Sequence, residues 1–104
     1  MGVKLHEAVY GDGTHYAWCF FCPACASLHQ CDNRWTFNND TERPTFNGSI
    51  LVHAVDNPEV GYHRPRCHSF VTDGRISYCT DSTHAMAGQT ADLPDWDSVR
   101  NPYG

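Results

Sequence analysis

Residues Arg66–Thr80 read RCHSFVTDGRISYCT, and the Asp73-Gly74 pair at their centre decides the fold. Asp-Gly between two alternating runs is a strong hairpin signal, because a two-residue type I′ turn needs positive φ at both central positions. The stretch therefore predicts a hairpin in which Thr72 faces Arg75, Val71 faces Ile76, Phe70 faces Ser77, Ser69 faces Tyr78 and His68 faces Cys79. Side chains alternate across a strand. Ser69, Val71, Ile76 and Tyr78 then share one face, His68 and Cys79 pair on the other, and Cys67 points away from His68.

Working outward, Val3–Tyr10 and His15–Phe21 flank Gly11-Asp12-Gly13 and predict a first hairpin. Cys22-Pro-Ala-Cys25 makes a tight turn, and Ser27–Cys31 returns as a short strand, the outline of a zinc-ribbon knuckle. Arg34–Phe37 is a short strand candidate. Residues 45–55 predict a strand interrupted at Gly48, and 56–65 a loop. Asp81–Gly88 predicts one or two helical turns, capped by Asp81 or Ser82 and stopped by Gly88. Residues 89–104 read as an extended covering segment anchored by Leu93 and Trp96. The expected fold is mainly β: one small antiparallel domain over residues 1–104, with a zinc-ribbon-like knuckle and at most one short helix.

The 104 residues carry a formal charge of −5 with His neutral. A general electrostatic grip on nucleic acid needs clustered Lys and Arg, so nucleic acid is not the expected partner. The charge is uneven. Arg64, Arg66 and Arg75 outweigh Asp73 within 61–80, and four aspartates outweigh Arg100 within 81–104. No secretory signal and no run of 18 apolar residues occurs, so the expected location is the cytoplasm, with no membrane contact. In a reducing compartment the six cysteines are expected as metal ligands and buried thiols rather than three disulfides.

Structural zinc takes four ligands from thiolate and imidazole. Cys22 and Cys25 are the firmest pair. Cys19 lies three residues earlier, on the opposite strand face, and reads as a buried small hydrophobe, as does Cys31. The remaining ligands come from His29, Cys67, His68, Cys79 and His84. Two sites compete: Cys22, Cys25, Cys67 and His84, or Cys22, Cys25, His68 and Cys79. The role of His29 stays open. His6, His15, His53 and His63 read as ordinary imidazoles.

The segments CPACASLH, WTFNNDTERPTFNGSILV, RCHSFVTDGRISYC and DSTHAMAGQTADLPDW together resemble a family of small phage and prophage proteins, often mislabelled "ammonia monooxygenase". The resemblance covers roughly residues 18–96. It implies zinc binding and touches Cys22, Cys25, His29, Cys67, His68 and His84, with Pro44, Ser49 and Gly74. It does not include Cys79, which favours Cys67 and His84 as the completing ligands. Relatives often carry Cys where this chain has Ser82.

The leading functional expectation is a zinc-stabilised module that binds a host or phage protein and inhibits or modulates a host or defence protein. A closed four-ligand site leaves no position for water, which argues for a structural ion and leans away from an enzyme; no catalytic residue is assigned. One alternative is a metal-dependent hydrolase or nuclease, with His29, His68 and Asp73 or Asp81 at an open site and Arg64 and Arg66 binding a phosphate. Others are a nucleic-acid-binding zinc module and a virion decoration protein. The cell would be a bacterial host. The sequence fixes no oligomeric state.

Overall fold

The structure, a computed structural model, describes residues 2–99, and the end of the expected 89–104 segment lies outside the described residues. It is antiparallel β throughout. β1 (His6–Val9), β2 (His15–Cys22) and β3 (Ser27–Cys31) form one sheet in that order. A second sheet has the order β11 (Thr90–Asp92), β10 (Arg75–Tyr78), β9 (Cys67–Thr72), β6 (Ile50–Val52). Two small ribbons, β4 (Thr36–Phe37) with β5 (Phe46–Asn47) and β7 (Val55–Asn57) with β8 (Tyr62–Arg64), complete the sheets. Among the described residues α1 (Trp96–Val99) is the one α-helix.

The Asp-Gly hairpin forms in the expected register, with Arg75 opposite Thr72 and Tyr78 opposite Ser69. Asp73 and Gly74 both have positive φ, 57° and 80°, as a type I′ turn requires. A Cβ on Gly74 would stand 3.3 Å from the Arg43 backbone, so glycine also permits the close approach of the loop that carries Pro44. Ser69, Val71, Ile76 and Tyr78 are buried together. With Ile50 and Cys67 they share one core with Phe20, Cys22 and Cys31 of the first sheet, closed by Leu5, Phe46 and Leu93. Removing that apolar surface from water is the main favourable term in folding.

Several local expectations need correction. Asp81–Gly88 is a series of turns rather than a helix; Gly88 donates its N–H back to the Tyr78 carbonyl, 2.9 Å away, which folds the segment against β10. The helical turn falls at Trp96–Val99 instead, where the Ser98 hydroxyl and N–H both bond to the Asp95 carbonyl. Residues 56–65, expected as loop, hold most of the β7–β8 ribbon. Leu93 is buried as expected, but Trp96 stacks on His6 at 4.8 Å without being buried. Cys31 is buried, whereas Cys19 is only half-buried.

Candidate metal centre and an adjoining histidine–aspartate pair

β2 and β3 pair with Cys22 opposite Ser27 and Phe20 opposite His29. Cross-strand partners share a face, so His29 projects on the same side as Cys22. The knuckle between them is tight enough to put Ala26 at φ 51°, a conformation unfavourable for a residue with a Cβ. From the second sheet, the start of β9 delivers Cys67 to this point. The ligand atoms of Cys22, Cys25, His29 and Cys67 all lie within 4.8 Å of one another. Cys22 Sγ and Cys67 Sγ are 4.0 Å apart. Two sulfurs on one tetrahedral zinc, each at about 2.3 Å, stand about 3.8 Å apart.

The donor chemistry fits a metal ion. His29 is buried, its Nδ1–H points at the Leu28 carbonyl at 3.1 Å, and its Nε2 is buried without a partner. That tautomer leaves the Nε2 lone pair free, which is how a ligating imidazole is prepared. The Cys67 thiol beside Cys22 pushes Cys22 down to about 3, against burial and with help from Tyr78 and the Cys25 backbone. The same bond holds Cys67 far above the ordinary thiol range, with burial adding to the rise. Burial, first, and the Cys22 charge push Cys25 up to about 11. Three sulfurs so close cannot all ionise without a cation; a divalent ion removes the conflict. The Tyr78 hydroxyl, 3.2 Å from Cys22 Sγ and 3.3 Å from the Ala24 N–H, braces the knuckle from β10.

The structure thus brings Cys22, Cys25 and Cys67 together with His29, and not with His84. His84 packs edge-on against the Tyr78 ring at 4.7 Å, and its Nδ1 accepts the Met86 N–H. The proton therefore sits on Nε2, which is buried without a partner. The competing combination of Cys22 and Cys25 with His68 and Cys79 does not form either, because His68 and Cys79 lie on the outer face of the second sheet. They make a second group there with Asp81, again with ligand atoms within 4.8 Å.

On that outer face His68 Nδ1 is 3.0 Å from Asp81 Oδ1. Arg66 grips the other carboxylate oxygen through Nη2 at 2.9 Å and Nε at 3.3 Å. The Arg66 guanidinium, first, and His68 hold the Asp81 carboxyl below its ordinary range. The Ser82 hydroxyl bonds both the N–H and the carbonyl of His68, each at 3.0 Å, and so fixes its backbone. Arg64, the other expected binding residue, is committed through Nε to the His53 carbonyl. β6 pairs with β9 so that Leu51 faces His68 and Ile50 faces Ser69. Ser49 immediately precedes Ile50, at the start of β6, and is half-buried. Trp35 donates its indole N–H to the Ser49 carbonyl at 3.1 Å and lies against Gly48, whose φ is 102°. Ser77 pairs with Phe70 and so lies diagonal to His68, but its hydroxyl is bonded to Thr90.

A family model described as "Bacterial ubiquitination-like system serine protease (BubE)" matches residues 3–79. The chain belongs to this family. The match spans the knuckle, Ser49, Cys67 and His68, and ends before Asp81 and His84. Three of the four segments that carry the resemblance to phage and prophage proteins fall within the match and residues 81–96 lie beyond it; the family is described by a bacterial ubiquitination-like system. No curated protein matches the chain, and no solved structure does. Among the described residues no helix is long and apolar enough to cross a membrane.

Proposed function

We propose that the chain is a zinc-stabilised serine peptidase of a bacterial ubiquitination-like system, with Ser49 as nucleophile, His68 as general base and Asp81 as the group that orients His68. The observation that carries this reading is the Arg66–Asp81–His68 relay on the open sheet face. A serine hydroxyl becomes a nucleophile only when a base takes its proton, and the base works best when a carboxylate holds its other nitrogen. With Nδ1 directed at Asp81, Nε2 is the nitrogen left for the hydroxyl. Ser49 is preferred over Ser77 because Ser77 already has a partner, and over Ser69 and Ser82 because both are buried.

In this reading Cys22, Cys25, His29 and Cys67 would hold the ion, which supplies folding energy at a site with all four positions taken by protein. The chemistry belongs to the neighbouring residues. Cys67 and His68 are adjacent on β9 with side chains on opposite faces, so the metal site inside fixes the strand that presents the base outside. Leu28, Leu51 and Tyr62 are exposed along a groove that also includes Arg64, and Leu51 lies beside His68. An exposed apolar strip of this kind suits a polypeptide. The expected protein contact is then substrate binding, with the partner a ubiquitin-like polypeptide or its conjugate. Thiolate ligands favour a reducing cytoplasm.

The test is cleavage of a ubiquitin-like polypeptide of such a system carrying a C-terminal reporter. Ser49→Ala and His68→Ala should each lower kcat/KM by about 10³-fold or more, while Ser77→Ala changes it by less than about threefold. Full activity in Ser49→Ala overturns the assignment, and full activity in His68→Ala overturns the mechanism.

A further inference from the structure

We infer that His68, Cys79 and Asp81 form a second metal site, open to solvent, which takes a thiophilic divalent ion of the zinc class and thereby withdraws His68 from use as a base. The withdrawal rests on the peptidase reading; the site itself does not. Three different donor types converge within 4.8 Å on the outer face of β9 and β10. Imidazole, thiolate and carboxylate are the three ligand classes zinc accepts, and three protein ligands with a solvent position are the pattern of an exchangeable site.

Each donor is held in place by something else. Arg66 engages Asp81 Oδ2 and leaves Oδ1 facing His68. Ser82 pins the His68 backbone from both sides. The Cys79 N–H donates to the His68 carbonyl at 2.7 Å, which locks the cross-strand pair. Such outer contacts are the usual support of a metal site. Cys79 has no part in the inner group of Cys22, Cys25, His29 and Cys67. An ion here would bind His68 through Nδ1, so that the one ring proton moves to Nε2 and leaves it no lone pair for a base; Cys79 would lose its thiol proton to solvent, and the ion would take over the Asp81 oxygen that orients the ring. The inner site has four protein donors, three of them buried, so it fills first and tightly; the outer one has three donors, half-buried to exposed, and fills at higher free zinc.

The experiment uses the full chain loaded with zinc and dialysed against rising free Zn²⁺, with bound metal counted and the His68 ring resonances followed by NMR. Bound zinc should rise from about one to about two ions per chain, with the His68 resonances shifting in step. Cys79→Ser should stay near one ion across the same range, its second binding weakened by at least about tenfold to a hundredfold. Saturation of the wild type near one ion overturns the site. So does equal second uptake by Cys79→Ser, or a second ion that leaves His68 unshifted. In the cleavage assay the second ion should inhibit the wild type and spare Cys79→Ser at equal free zinc. A second ion bound with undiminished cleavage refutes the withdrawal, whereas a chain that carries the inner ion alone and cleaves nothing refutes the peptidase reading instead.

Discussion

Replacing His29 with alanine separates the inner metal site from its rival most sharply, because His84→Ala is a matched control. Structural zinc in small domains contributes roughly 10–16 kcal/mol of apparent binding energy at neutral pH, which is folding energy. Shared over four ligands, this is about 3 kcal/mol for the imidazole, or a loss of zinc affinity of about two orders of magnitude. A chain of about 100 residues has roughly 5–15 kcal/mol of stability and loses about 4–8 °C of melting temperature per kcal/mol. His29→Ala should therefore melt about 12–25 °C lower and surrender zinc to a chelator that the wild type resists. His84→Ala loses the edge contact on Tyr78, worth about 0.5–1.5 kcal/mol, and should keep its zinc. Competition with a chromophoric chelator, read beside calorimetry, makes both measurements. Zinc lost from His84→Ala and retained by His29→Ala would refute the assignment.

Three further outcomes follow from particular contacts. Gly74→Ala should cost about 1–2 kcal/mol through the left-handed φ alone, and more through the 3.3 Å approach of Arg43; denaturant unfolding measures it. Asp81→Asn should lower kcat by about 10²–10⁴-fold with little change in KM, since it leaves Ser49 and the groove intact while His68 loses its orienting charge; steady-state kinetics on the reporter substrate measures it. Lys4 holds the Asp95 carboxyl below its ordinary range through a 2.5 Å ion pair. A depressed carboxyl stabilises the fold above the unfolded value of about 3.9, and that support fades as pH falls through the lower folded value. The melting temperature of Asp95→Asn should accordingly depend less on pH below about 4.

The hairpin register was legible in the sequence because Asp73-Gly74 permits essentially one turn geometry and the flanking runs alternate without a break. The knuckle was legible because Cys-x-x-Cys between two strands has few other uses. The sequence also carries a signal for His29 over His84. A turn closed by Cys22 and Ser27 places His29, two residues on, opposite Phe20 and therefore on the side of Cys22. The family resemblance favours His84, whereas its position depends on how residues 81–88 fold against Tyr78, which local propensity does not determine. The β7–β8 ribbon is not legible in the sequence because its strands are three residues long and mostly exposed, so they carry little hydrophobic alternation. Ser49 appeared in the sequence only as a recurring position. Its relation to His68 depends on the pairing of β6 with β9, a contact between strands far apart in the chain.

The measurement that bears most directly on the account is the site of covalent capture by a fluorophosphonate, a reagent that phosphonylates only an activated serine. Intact-mass and peptide mapping of the zinc-loaded protein should find one adduct on Ser49, absent from Ser49→Ala and from His68→Ala. An adduct on Ser77 or any other serine, or undiminished labelling in either variant, would contradict it.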